Sequence, residues 1–312
     1  HLADARVGGC RKHDLGVRRF LQDRGLQSQQ FGGFRRNQRH FSGGTHQQAR
    51  ALADLDVLCL QAIAVHYPAL PGNAGHDQVA LLRDLLPGYQ VFFGAAVDEW
   101  THDGQRQRFG NLIATRLPVL QLQHHPLPYP ADAGVPSMPR MCTVATVRDP
   151  ALGAVRVMTT HLEFYSKRQR MAQARALRAL HGQACAQVAA PPQARSDGSP
   201  FQSKPHTPHA VLCGDFNFEA HEPEHAAICA PAGADDNDEA PHGARLWDSW
   251  RLLHGNAPQP PTFRLYDRTY GPEPVACDFV FVSDSLKGRV QRFGVDAATQ
   301  ASDHQPVAVL IG

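Results

Sequence analysis

AVLCGDFN, residues 210–217, decides the reading of this chain. Four apolar residues, Ala210 to Cys213, drive a strand into a core, and Gly214 ends it. Asp215 and Asn217 are thereby delivered at the strand's C-terminal edge, and alternation predicts that both face the same side. A carboxylate that orients a water, beside an amide that can bond a phosphoryl oxygen, suits phosphate hydrolysis. Read alone, Gly-Asp-x-Asn is equally a turn.

Two later stretches have the same design. In ACDFVFVSDSL (276–286) Asp278 is flanked by apolar residues. Burying it unpaired would be costly, so a partner is expected, and His304 is the natural candidate. A buried Asp that holds a His in one tautomer is a recurrent catalytic device. In ASDHQPV (301–307) Asp303 and His304 stand just before a final apolar strand. Asp303 can ligate a hard cation and His304 can act on protons or on developing charge. His161 closes the apolar run VRVMTT, Asn111 lies in FGNLIATR, and Arg140 lies in PSMPRMC. Singly these three read as a structural His, a turn Asn and a solvent-facing or phosphate-contacting Arg.

Around these motifs the chain is strand-rich. VLCLQAIAV, YQVFFGAAV, RFGNLIATRLPVLQLQ, MCTVATV and AVRVMTTHL all read as strands, the third broken near Pro118. TFRLYD, RVQRFGVD and QPVAVLIG are further strand candidates. DQVALLRDLL, LWDSWRLL and the long SKRQRMAQARALRALHGQACAQV, with Ser166 as N-cap, read as helices. Strand next to strand predicts an α/β (α+β) sandwich of two mostly antiparallel or mixed sheets, packed face to face with helices outside.

These motifs, in the order FGN, TTHLE, GDFN, CDFVFV and SDH, resemble the endonuclease/exonuclease/phosphatase superfamily of deoxyribonuclease-like phosphodiesterases. The resemblance spans about residues 50–312. It implies a four-layered sandwich, a phosphate-ester substrate with nucleic acid admissible, and a Mg²⁺ or Mn²⁺ cofactor. It also implies roles. Asp303 resembles the metal-ligating aspartate, and His304, oriented by Asp278, the histidine that stabilises the transition state. Asp215 resembles the residue that positions the attacking water, with Asn217 beside it, and His161 the phosphate-contacting histidine; Asn111 and Arg140 are expected as further phosphate contacts. In the family a metal-ligating Glu ends the second strand, but here that position is Ala62. An impaired enzyme, or a non-catalytic phosphate-ester binding module on the same fold, is therefore also expected.

Composition bounds the remainder. At 42% hydrophobic and 19% charged the chain is of ordinary globular type. Residues 1–50 hold ten Lys/Arg against three Asp/Glu, and the remaining 262 hold 21 against 26. The body is thus slightly acidic, which argues against tight non-specific nucleic-acid binding. Residues 1–48, rich in Gly, Gln and Arg, form an atypical segment, poorly ordered or mis-framed, ahead of a catalytic-type domain over 49–312. The family's first strand ends in Asn, and Asn37, in FRRNQRH, has no apolar strand leading into it. Seven cysteines, an odd number without a C-x-x-C pair, predict buried free thiols in a reducing compartment. No apolar stretch is long enough for a transmembrane helix, and none in residues 1–30 resembles a signal peptide. The expected protein is a cytoplasmic monomer. The chain begins with His1, which admits a fragment or a processed form.

Overall fold

The computed structural model describes residues 30–35, 55–70, 73, 75–231, 244–300 and 302–312. The earlier strands are β1 (Gln30–Arg35), β2 (Val57–Val65), β3 (Gln90–Trp100), β4 (Arg106–Thr115), β5 (Val119–Pro126) and β6 (Met141–Asp149). The later ones are β7 (Gly153–His161), β8 (Ala210–Asp215), β9 (Leu246–Asp248), β10 (Asp278–Ser283), β11 (Val290–Val295) and β12 (Val307–Ile311). They form two six-stranded sheets, ordered β11-β12-β1-β2-β4-β3 and β5-β6-β7-β8-β10-β9. Only β1–β12 and β7–β8 pair parallel; the other ladders are antiparallel.

Side-chain alternation assigns the layers. Val155 and Val157 of β7 join Val57, Cys59, Ile113, Val211 and Val280 in the core between the sheets. Met158, on the other face of β7, joins Leu212, Phe216 and Phe279 beneath α2 (Lys167–Ala189) and α3 (Pro223–Cys229). On the far side, Leu58 and Leu60 pack with Val79 and Leu82 of α1 (Gln78–Leu85). The result is four layers, helix–sheet–sheet–helix, as the strand-rich sequence predicts. Ser166 caps α2 by accepting from the Gln169 N–H at 3.1 Å.

Three local expectations change. The sequence offers no strand in residues 1–48, yet the Gln30–Arg35 backbone lies between β12 and β2. Asn37 lies outside the described residues. LWDSWRLL, read as one helix, divides into β9 and α4 (Ser249–His254), because the Asp248 carboxylate accepts from the N–H of Trp250 and Arg251 and starts the helix there. TFRLYD forms no strand: Arg264 adopts φ 59° and turns the chain, leaving isolated bridges from Phe263 to Val275 and His304. All six described cysteines are free thiols, and Cys10 lies outside the described residues. No helix among the described residues is long and apolar enough to cross a membrane.

Candidate active site

The candidate site lies where β7 and β8 end and β10 begins. Asp278 opens β10 directly opposite Asp215, the last residue of β8, and His161 closes β7 beside Asp215 in the parallel ladder. Gly214 permits this approach. Its φ is 150°, and a Cβ there would come within 1.9 Å of the Thr160 carbonyl oxygen. Only glycine lets β8 lie this close to β7 and so brings Asp215 to His161.

The pairings are specific. His304 donates from Nδ1 to Asp278 Oδ2 at 2.8 Å. His161 Nε2 faces Asp215 Oδ2 at 3.2 Å. Asp215 Oδ1 accepts from the Asn217 backbone N–H at 2.9 Å. Asp215, Asp278 and His304 are buried, and His161 is mostly covered. Burial alone would depress the basicity of His304, but Asp278 and Asp215 outweigh it and lift the ring to about 9. His304 is therefore an imidazolium at neutral pH. His161 moves the other way: burial, reinforced by Arg140, lowers its pKa and keeps it neutral. Donation from Nε2 to Asp215 then leaves Nδ1 as an acceptor, and this buried atom has no partner among the described residues.

Arg140 stands in the loop immediately before β6. Its Nε donates to Glu163 Oε2 at 3.2 Å, and Glu163 Oε1 accepts from the backbone N–H of Phe164 and Tyr165. Nη1 of Arg140 is buried without a partner among the described residues. Asn111 lies nearby on β4 and donates to the Met141 carbonyl at 3.2 Å. Asn217 departs from the expected alternation. The chain leaves the strand at Asp215, Phe216 is buried in the core, and Asn217 adopts φ 53°. Its amide nitrogen donates to the Leu162 carbonyl at 2.9 Å, so that donor holds the loop.

Six further residues at the site have no functional reading in the sequence. Glu163 anchors Arg140; its presence in TTHLE was the available signal. Phe263 stacks on the His304 ring, with centroids 4.2 Å apart. Tyr270 lies against Phe263, and Phe164 meets Tyr270 and Tyr165 edge-on, giving a partly exposed aromatic rim. Cys277 bonds the Asp278 carboxylate through sulfur at 3.7 Å, and burial pushes its thiol pKa up.

Three donor-bearing residues, Asp215, Cys277 and His304, have ligand atoms within 4.8 Å of one another. A protonated thiol and a His bound to Asp278 fit hydrogen bonding better than a hard cation. Asp303 fits a hard cation better: burial works against its charge, and a bound cation would offset that, while Ser302 Oγ donates to it at 3.3 Å. Ala62 offers no ligand atom. It occupies a bulge in β2, where the register with β4 shifts between Leu60 and Ile63, at φ 58°.

A family model described as Endonuclease/Exonuclease/phosphatase family matches residues 32–304. The chain belongs to this family. The family is one of phosphoester hydrolases that generally require a divalent metal. Among solved structures, the chain is similar to an endonuclease/exonuclease/phosphatase from Beutenbergia cavernae, at 23% identity and a TM-score of 0.54, over 90% of this chain and 70% of that one. It is also similar to a mannosyl-6-phosphatase from Bacteroides thetaiotaomicron, at 19% identity and a TM-score of 0.53, over 90% and 98%. A family protein from Bacteroides vulgatus aligns at 19% identity and a TM-score of 0.54, over 90% and 96%. At these identities the likeness is one of fold. No curated protein matches the sequence.

Proposed function

We propose that this chain is a divalent-metal-dependent phosphoesterase that cleaves a phosphodiester or phosphomonoester by in-line attack of water. The observation that carries the reading is the Asp278–His304 pair, at 2.8 Å, placed across a ladder from the Asp215–His161 pair. His304, charged at neutral pH, donates to a phosphoryl oxygen as negative charge grows on it. Asp278 keeps that imidazolium charged and oriented. Asp215, steered by His161 and by the Asn217 N–H, orients the attacking water. Arg140, fixed by Glu163, offers Nη1 to a second phosphoryl oxygen, and Asn111, which holds the Met141 carbonyl at the start of β6, lies beside it as a further phosphate contact. Asp303 would hold Mg²⁺ or Mn²⁺, which when bound offsets charge on the phosphoryl group. The partner is a phosphate ester, with nucleic acid one candidate class. The protein works as a cytoplasmic monomer.

Ala62 favours a second reading, a phosphate-ester binding module that does not turn over. The two separate on one comparison. Bis(4-nitrophenyl) phosphate is supplied with Mg²⁺ to the wild type and to Ala62→Glu. A gain of about 10-fold or more in Ala62→Glu supports an enzyme weakened at its metal site, since a lost ligand carboxylate is worth that much. Binding of the ester by both proteins, with turnover by neither, selects the binding module.

A further inference from the structure

A polar cavity lies away from the catalytic cluster, on the outer face of the β5–β8 sheet. Its volume is about 210 Å³, and it is closed by α2 and by the segment Lys204–Thr207. Arg156 of β7 lies in it, with Gln123 and His125 of β5, Gln183 of α2, and Lys204 and His206. None of its lining residues is acidic.

Arg156 is the anomaly. It is only 7% exposed, yet no carboxylate among the described residues pairs with it. Its Nη2 donates to His181 Nδ1 at 2.8 Å, and Nη1 faces the Met158 sulfur at 3.9 Å. Its Nε is buried without a partner among the described residues, and so is Nε2 of His206. Burial holds the His181 ring near pKa 3, so the guanidinium rests on a neutral imidazole. A guanidinium taken out of water without an anion is strongly unfavourable, and folding tolerates it where an anion completes the site. Arginine is the side chain best matched to planar or tetrahedral oxyanions.

We propose that this cavity binds a small oxyanion, inorganic phosphate or the phosphate of a compact monoester, with Arg156 as anchor and His206 and Lys204 closing over it. The site is separate from the catalytic cluster. Val155 and Val157 face the core between the sheets, whereas Arg156 and Met158 face α2. His161 lies five residues further along β7, roughly 16 Å away at 3.3 Å per residue. The proposal does not depend on the catalytic reading.

The test is hydrogen–deuterium exchange of the full chain in EDTA, with and without inorganic phosphate, followed on peptides covering residues 200–208 and the N-terminal half of β7. The expected result is slowed exchange there, with an affinity at least about tenfold weaker in Arg156→Met, which keeps the bulk and loses the charge. Without phosphate, Arg156→Met should unfold at the wild-type temperature or higher, because a buried unpaired charge has gone. A structural arginine would instead lower it. Should Arg156→Met fail to fold, Lys204→Gln and His206→Ala carry the test, each weakening phosphate at least about threefold. Glycerol 2-phosphate in a parallel arm tells the two sources apart: tighter binding than phosphate assigns the monoester, weaker binding the free ion. Unchanged exchange in the wild type with either ligand overturns the proposal, as does wild-type affinity in all three variants.

Discussion

Asp278 and Asp215 are direct partners across the β10–β8 ladder, and each carboxylate holds a different imidazole. Two acidic groups this close would repel if both stood alone. The positive charge on His304 offsets that repulsion, and the carboxylates in turn raise His304 to about 9.

This coupling gives a pH prediction. The folded pKa of His304 lies above its unfolded value near 6.5. The stability that the imidazolium contributes is complete below about 6.5 and is lost as pH rises through about 9. Activity that depends on the charged ring should fall over the same alkaline limb. In Asp278→Asn that limb moves to lower pH, and kcat at neutral pH falls by about 10²–10⁴. A kcat–pH profile of both proteins checks it.

Gly214 should tolerate no side chain. In Gly214→Ala the new methyl meets the Thr160 carbonyl and the backbone is held at φ 150°. The expected loss is about 2–4 kcal/mol by urea titration, with activity lost alongside because β8 no longer presents Asp215 to His161.

Glu163 is predicted to matter through Arg140. Removing one partner of a buried ion pair leaves the other charge uncompensated. Glu163→Ala should destabilise by about 3–5 kcal/mol. Glu163→Gln should keep most of the stability and raise KM more than it lowers kcat, if Arg140 acts on bound phosphate. Steady-state kinetics of the Gln variant separate the two effects.

Ala62 carries a backbone cost. Its φ of 58° is disfavoured for any residue with a Cβ, so Ala62→Gly should raise stability by about 0.5–1 kcal/mol in thermal or urea unfolding. Ala62→Glu adds no backbone strain beyond that of Ala, which makes it a fair test of ligand chemistry.

Much of this arrangement was legible in the chain itself. Apolar runs that end in Asp215 and His161, and one that begins at Asp278, are what place those side chains at strand ends, and strand ends that pair must bring them together. The missed features are those that no local pattern carries. Gln30–Arg35, with Gln, two glycines and Arg, has little strand signal of its own; β12 and β2 supply its pairing from both sides. TFRLYD alternates like a strand, but Arg264 reverses the chain. The turn after Asp215, in which the Asn217 amide nitrogen donates to the Leu162 carbonyl, breaks the strand alternation that the apolar run suggests. Phe263 against His304 and Glu163 against Arg140 are tertiary pairings between residues far apart in sequence, 41 and 23 positions respectively.

The most direct measurement of the central claim is the rate of bis(4-nitrophenyl) phosphate hydrolysis with Mg²⁺ for Asp215→Asn and His304→Ala, each made in the wild type and in Ala62→Glu. The account predicts Mg²⁺-dependent turnover in at least one parent, cut by about 10²-fold or more in both variants while each still unfolds cooperatively. Turnover that survives both substitutions, or no turnover in either parent, would contradict it.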